Sequence, residues 1–237
     1  MQRHIPWLLL VGADAPTLPG LAALLTWSRP RGASAWILAW SLLLTVQEAG
    51  GVALAAAGRN NHWLGYVGLP AGSALMLWAL GEWQTRDVAR LTIRLAIPVA
   101  ILVWIVLVLA VENTSTFSTA AEPLLSVLGL AAAAWTLVNR SMNEADSGLA
   151  AQDWFWACAG LCLLFASEST LGPLASLLGG DVTLVARAYE LQSVVSIVAF
   201  VSIAKGVTCQ VRTRPSGASS SPVSSPSASF SSPSAPH

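Results

Sequence analysis

Long apolar segments that contain few charges recur along this chain and strongly limit what it can fold into. Six of them have 18 to 23 residues each and are joined by short connections. A helix rises about 1.5 Å per residue, so each segment is long enough to cross a bilayer. Their approximate limits are Ala35–Ala57, Trp63–Gly81, Ile93–Val111, Ala121–Asn139, Trp154–Leu171 and Val185–Gly206.

A further apolar segment, Ile5–Trp27, precedes these six and is interrupted by Asp14, Pro16 and Pro19. One interpretation is a signal peptide, because an A-x-A pattern surrounds Asp14. The apolar core Trp7–Gly12 is short for a signal peptide, however, and Pro16 directly after the cut would disfavour cleavage. We therefore expect a kinked first helix, which brings the predicted number of membrane spans to seven.

Composition and charge support an all-α, polytopic membrane bundle. The chain is 54% hydrophobic and only 10% charged, with a net charge of zero, so a soluble domain and a nucleic-acid partner are both disfavoured. Basic residues concentrate on the side that would be cytoplasmic if the N-terminus lay outside. These inner residues are Arg29, Arg31, Arg86, Arg90, Arg94, Arg140, Lys205, Arg212 and Arg214, against Arg3, Arg59 and Arg187 outside.

The predicted location is therefore the cell membrane, inner or plasma, which the chain crosses several times with the N-terminus outside and the C-terminus in the cytoplasm. Residues 1–210 form the predicted transmembrane domain, with the lipid bilayer as its partner. Residues 211–237 are rich in Ser and Pro and carry few charges. Such material cannot bury a core, so we expect a disordered cytoplasmic tail.

Polar residues within the apolar segments are the candidates for function. Charged groups inside a membrane segment usually face a protein interior or a wet cavity. With the predicted orientation, nearly all of them fall in the outer half of the bundle. The candidate binding residues are Glu48, Asn61, His62, Tyr66, Glu168, Arg187, Tyr189 and Glu190. Arg187 and Glu190 are three residues apart and are expected to pair on one helix face. The alternative is a purely structural polar network, which also holds membrane helices together.

No catalytic residue can be named, because the sequence contains no known hydrolase, metalloprotease, P-loop or dinucleotide-binding motif. No two of the three histidines have a helical spacing, so neither a metal site nor a bound cofactor is expected. Lys205 lies at the inner end of the last segment, which suits a snorkelling side chain rather than a retinal linkage.

Three short blocks carry a resemblance to a known group. Asn60-Asn61-His62-Trp63-Leu64 opens the third segment, Asp153-Trp154-Phe155-Trp156 the sixth and Tyr189-Glu190-Leu191-Gln192 the seventh. The pattern over Ala35–Val207 resembles a group of small, uncharacterised bacterial seven-helix membrane proteins. The resemblance implies a seven-helix architecture and a bacterial inner membrane, and it implies no activity. The group often has a glutamate where this chain has Gly72.

Three functions are consistent with this pattern. The first is a non-enzymatic sensor or small-solute binding module, whose small-molecule ligand enters a polar pocket from the outer side. The second is a membrane-embedded enzyme acting on lipid-like substrates, with Glu48 and either Glu168 or Glu190 as acid–base groups. The third is a small proton-coupled transporter, which would require matching polar residues in the inner half. The sequence favours the first.

Overall fold

Seven α-helices account for almost all of the part of the chain that the structure describes. The computed structural model describes residues 12, 14–112, 118–143, 148–177 and 182–209, with 171–177 and 182 described as backbone. No strand occurs within these ranges. The helices are α1 (Leu18–Leu25), α2 (Ala33–Ala56), α3 (His62–Glu82), α4 (Asp87–Ala110), α5 (Ala121–Asn143), α6 (Asp153–Leu177) and α7 (Val182–Cys209). The all-helical class is thus confirmed, and the predicted tail lies outside the described residues.

Five of these helices are long and apolar enough to cross a membrane. They are α2, α3, α4, α5 and α7. Helix α6 is as long as they are, but Asp153 and the polar run Ser167–Thr170 make it less apolar. The predicted first span starts at Ile5, which lies outside the described residues, and Gly12 is its first described residue. Its described part forms a 3₁₀ turn, Ala15–Thr17, followed by α1.

Six helices close into a ring, and the seventh lies outside it. Going round the ring, α1 packs on α2, α2 on α3, α3 on α5, α5 on α6, α6 on α7 and α7 on α1. Helix α4 packs on the outside of α3 and touches α5 more lightly. Most of its apolar side chains face away from the bundle, as expected for a helix surrounded by lipid. The interior of the ring is therefore bounded by every helix except α4.

The first segment is part of this bundle rather than a loose extension. Ala15 and Pro16 are buried, and the buried Ser41 hydroxyl of α2 donates a hydrogen bond to the Pro16 carbonyl oxygen. Gly12 lies directly against Ser193 of α7, so close that a Cβ on Gly12 would fall 2.5 Å from Ser193 Cβ. These contacts favour the kinked-helix interpretation of the first segment, because it contributes to the folded core.

The tightest helix pair is α6 with α7. A Cβ on Gly160 would lie 2.5 Å from the Ala199 carbonyl oxygen, and one on Gly206 would lie 2.8 Å from the Asp153 carbonyl oxygen. In each case the neighbouring atom belongs to backbone, which cannot move aside easily. Small residues of this kind allow helix backbones to approach closely in membranes.

A buried polar network closes the end of the bundle where α3 ends. Gln84 Nε2 donates to Thr136 Oγ1 at 2.8 Å and to the Leu80 carbonyl oxygen at 3.1 Å. Asn139 Nδ2 donates to Gln84 Oε1 at 3.1 Å. Gln84 and Thr136 are 1% and 0% exposed, so the network joins α3 to α5 within the protein interior.

Basic residues surround the same end of the bundle. Arg140 donates to the Trp83 carbonyl oxygen at 3.0 Å, and Arg90 donates to that of Gln84 at 3.1 Å. The Lys205 ammonium lies 3.4 Å from the centre of the Trp156 ring. Arg94 lies 3.7 Å from Glu82. These contacts hold the cationic groups at the helix ends, which is typical of the cytoplasmic face of a membrane protein.

Candidate functional site

The opposite end of the ring encloses a cavity of about 550 Å³. Its walls come from the 3₁₀ turn, α2, α3, α5, α6 and α7, and α4 contributes nothing among the described residues. The volume falls within the range usual for small-molecule sites. Its polar lining residues are Gln47, Glu48, Asn61, His62, Tyr66, Ser73, Ser118, Glu122, Ser126, Glu168, Tyr189, Gln192, Ser193 and Ser196.

The floor of the cavity is aromatic. Trp40 of α2 stacks on Phe200 of α7 with ring centroids 5.8 Å apart, and its ring lies 6.3 Å from that of Phe165 on α6. Gly72 of α3 lies beside the indole, and a Cβ there would be in ordinary contact with Trp40 Nε1 at 3.5 Å. Three helices are therefore joined at the floor of the cavity by aromatic side chains that are almost fully buried.

Three carboxylates line the cavity above this floor. Ser126 Oγ on α5 donates to Glu168 Oε2 on α6 at 3.1 Å. Glu122 is close enough to interact electrostatically with Glu168 and with Glu48. Glu48 and Glu122 are exposed, whereas Glu168 is partly buried. All three side chains line the cavity, and Glu168 is the most enclosed of them.

The Gln47 side chain packs against α3 at this wall. A Cβ on Gly68 would overlap the Gln47 side-chain amide, so glycine is required at that position. The Gln47 Oε1 atom is buried against α3 and receives no hydrogen bond from the part of the chain that the structure describes.

Acidic side chains outnumber basic ones in the cavity. Of the described residues that line it, three are glutamates, none is Lys or Arg, and His62 is the one base. The basic residues with cross-helix contacts lie at the other end of the bundle. A ligand that enters this cavity therefore meets three acidic side chains and one imidazole.

Glu112 holds the N-terminus of α5 near the cavity mouth. Its Oε1 accepts hydrogen bonds from the backbone N–H groups of Thr119, Ala120 and Ala121 at 2.7 to 3.0 Å, and from the Ser118 hydroxyl at 2.8 Å. Burial alone would raise the pKa of Glu112, but these hydrogen bonds favour the charged form and together lower the pKa. A carboxylate here also complements the helix dipole.

Six of the eight predicted binding residues line the cavity. Glu48, Asn61, His62, Tyr66, Glu168 and Tyr189 do so. Asn61 Nδ2 donates to the Gly51 carbonyl oxygen at 3.1 Å, so this side chain joins the start of α3 to α2. The buried Tyr66 hydroxyl lies near the Glu112 carboxylate.

Arg187 and Glu190 are not brought to the cavity wall. Arg187 is exposed, and within the described residues no ion pair joins it to Glu190. The rotation of α7 explains this. Successive residues of a helix are about 100° apart, so Arg187 points about 160° away from Tyr189. The cavity face of α7 consists instead of Tyr189, Gln192, Ser193, Ser196 and Phe200.

Sequence reasoning missed several lining residues. Ser193, Ser196 and Phe200 follow Tyr189 at intervals of three or four residues, and that helical stripe was visible in the sequence. Glu122 and Ser126 gave no such signal, because their position depends on which helix stands next to α6. Within the described residues, no three His, Cys, Asp or Glu side chains are arranged to hold a metal ion.

Comparison with known proteins gives no relative for this chain. No family model, no curated protein and no solved structure matches it.

Proposed function

We propose that this chain is a seven-helix integral membrane protein that binds a small solute through a cavity in the outer half of its bundle, as a sensor or a binding module. The observation that supports this is the 550 Å³ cavity itself, which gathers 14 polar side chains at one end of an otherwise apolar bundle. A structural network would satisfy its polar atoms internally. Here Glu48 and Glu122 are exposed to the cavity.

The proposed orientation places the cavity outside and the basic end in the cytoplasm. Arg90, Arg94, Arg140 and Lys205 all lie at the end opposite the cavity. An excess of Lys and Arg on one side usually marks the cytoplasmic face. The resemblance to bacterial seven-helix proteins is consistent with an inner-membrane location, which remains part of the proposal.

The contrast between the two ends favours binding over transport. A carrier needs a polar route on both sides of its site. At the inner end, Gln84, Thr136 and Asn139 hydrogen-bond one another within a buried interface. Their hydrogen-bonding groups are used in contacts between helices. They are therefore not available to a solute that would cross the bundle.

Labelling of an introduced thiol tests both the opening and the orientation. Ser196 lines the cavity on α7, whereas the native Cys209 lies at the far end of the same helix. In a Ser196→Cys variant that also carries Cys158→Ala and Cys162→Ala, a membrane-impermeant sulfonated maleimide should label Ser196→Cys on intact cells. Cys209 should be labelled only after the membrane is opened. Labelling of Cys209 alone on intact cells would overturn the orientation, and no labelling at Ser196→Cys in either preparation would overturn the open cavity.

A further inference from the structure

The geometry points to an amphipathic organic ammonium ion, a free amine with an apolar body, as the solute that this cavity binds. This inference rests on the proposed function and adds the chemical class of the ligand. It depends on two features of the cavity: its acidic side chains and its aromatic floor.

The acidic side chains are the first feature. Glu48, Glu122 and Glu168 line one cavity and are close enough to interact electrostatically, and the one base among the described lining residues is His62. Like charges in a confined space destabilise one another. A cation placed between the carboxylates would relieve that repulsion, whereas an anion would add to it.

The floor of the cavity then selects an organic cation over a metal ion. Trp40, Phe165 and Phe200 present stacked and tilted rings below the carboxylates. These rings are 3%, 8% and 2% exposed, so they would contact the apolar body of a solute rather than surround its charge. A bare metal ion gains nothing from apolar surface. Within the described residues, no three His, Cys, Asp or Glu side chains are placed to coordinate one.

Ammonium groups also occur in lipid headgroups, and the cavity favours the free solute. A phosphoethanolamine headgroup carries a phosphate beside its ammonium group. That phosphate would lie among three carboxylates with no Lys or Arg of the described lining to receive it. The free amine avoids this repulsion.

Calorimetric titration of the full chain in detergent tests the inference with a matched set of probes. The probes are 2-phenylethylamine, its neutral analogue 2-phenylethanol, the anion 3-phenylpropanoate, and glycerophosphoethanolamine as the headgroup. We expect 2-phenylethylamine to bind at least about tenfold more tightly than each of the others. Equal binding of 2-phenylethanol would overturn the role of charge. Equal or tighter binding of glycerophosphoethanolamine would overturn the assignment to a free amine, and so would the absence of any binding.

Variants connect the binding to the cavity. Glu168→Gln and Glu122→Gln should each weaken 2-phenylethylamine binding about tenfold or more, whereas Glu82→Gln at the opposite end should leave it unchanged. Glu122 is exposed, so its variant is expected to fold even if Glu168→Gln does not. Unchanged binding in the Glu122→Gln variant would contradict the inference. Thiol labelling at Ser196→Cys is independent of ligand identity, so an open cavity without amine binding overturns only this inference.

Discussion

Ser126 of α5 donates a hydrogen bond to Glu168 of α6 at 3.1 Å, and this contact joins two helices at the wall of the acidic cavity. Glu168 also interacts electrostatically with Glu122, which lies one turn before Ser126 on α5. The same surface of α5 thus provides both a donor that stabilises the Glu168 carboxylate and a second carboxylate that opposes it. The hydrogen bond from Ser126 uses only part of the accepting capacity of Glu168, and in the proposed function the rest serves a ligand.

Arg187 and Glu190 are expected to be independent of each other in stability. Arg187 is exposed and, among the described residues, forms no ion pair with Glu190. Exposed pairs contribute little in any case. A double-mutant cycle with Arg187→Ala and Glu190→Ala, measured by unfolding in detergent, should give a coupling energy below about 0.5 kcal/mol. A coupling of about 1–3 kcal/mol would show that a structural pair exists.

Acidification should weaken the cap that Glu112 places on α5. The pKa of Glu112 is lowered in the folded state, so its contribution is complete above its unfolded pKa of about 4.3 and is lost as pH falls through the folded pKa. The wild type should therefore lose stability more steeply than Glu112→Gln when pH falls below about 5. The measurement is thermal unfolding in detergent from pH 7 to 3. Parallel pH profiles for the two proteins would contradict the cap.

Close packing of α6 on α7 should make Gly160 intolerant of a side chain. A Cβ there would lie 2.5 Å from the Ala199 carbonyl oxygen, and overpacking of this kind costs about 1–3 kcal/mol. Gly51→Ala is the matched control, because its nearest neighbour, Asn61 Nδ2, would lie 3.6 Å away. We expect Gly160→Ala to lower the unfolding free energy by at least about 1 kcal/mol relative to Gly51→Ala. Equal stability of the two variants would argue against the packing.

The buried network at the end opposite the cavity allows a comparison between two threonines. Thr136 and Thr92 both donate to the carbonyl oxygen four residues earlier, but only Thr136 is buried and accepts a hydrogen bond from Gln84. Thr136→Val should therefore cost about 1 kcal/mol more than Thr92→Val in detergent unfolding. Similar costs would show that the hydrogen bond from Gln84 contributes little.

The positions of the helices could be predicted from the sequence because an apolar segment long enough to cross a bilayer is expected to be helical. Each of the six long predicted segments coincides with a helix, and the predicted and observed ends differ by up to six residues. Which polar residues meet was harder to predict, since it depends on helix rotation and on neighbours. The rotation of α7 turns Arg187 away from the cavity, and only the packing of α5 on α6 brings Glu122 beside Glu168.

The labelling rates of one thiol show whether the cavity is both open and acidic. A cationic and an anionic methanethiosulfonate, carrying trimethylammonium and sulfonate groups, would each be reacted with Ser196→Cys. The same reagents would be reacted with Ala57→Cys, which is exposed at the end of α2. The acidic side chains should concentrate the cationic reagent in the cavity. We expect the cation-to-anion rate ratio at Ser196→Cys to exceed that at Ala57→Cys by about tenfold or more, and to fall in a Glu122→Gln background. Equal ratios at the two positions would show that the cavity is not acidic, and no reaction at Ser196→Cys would show that it is closed.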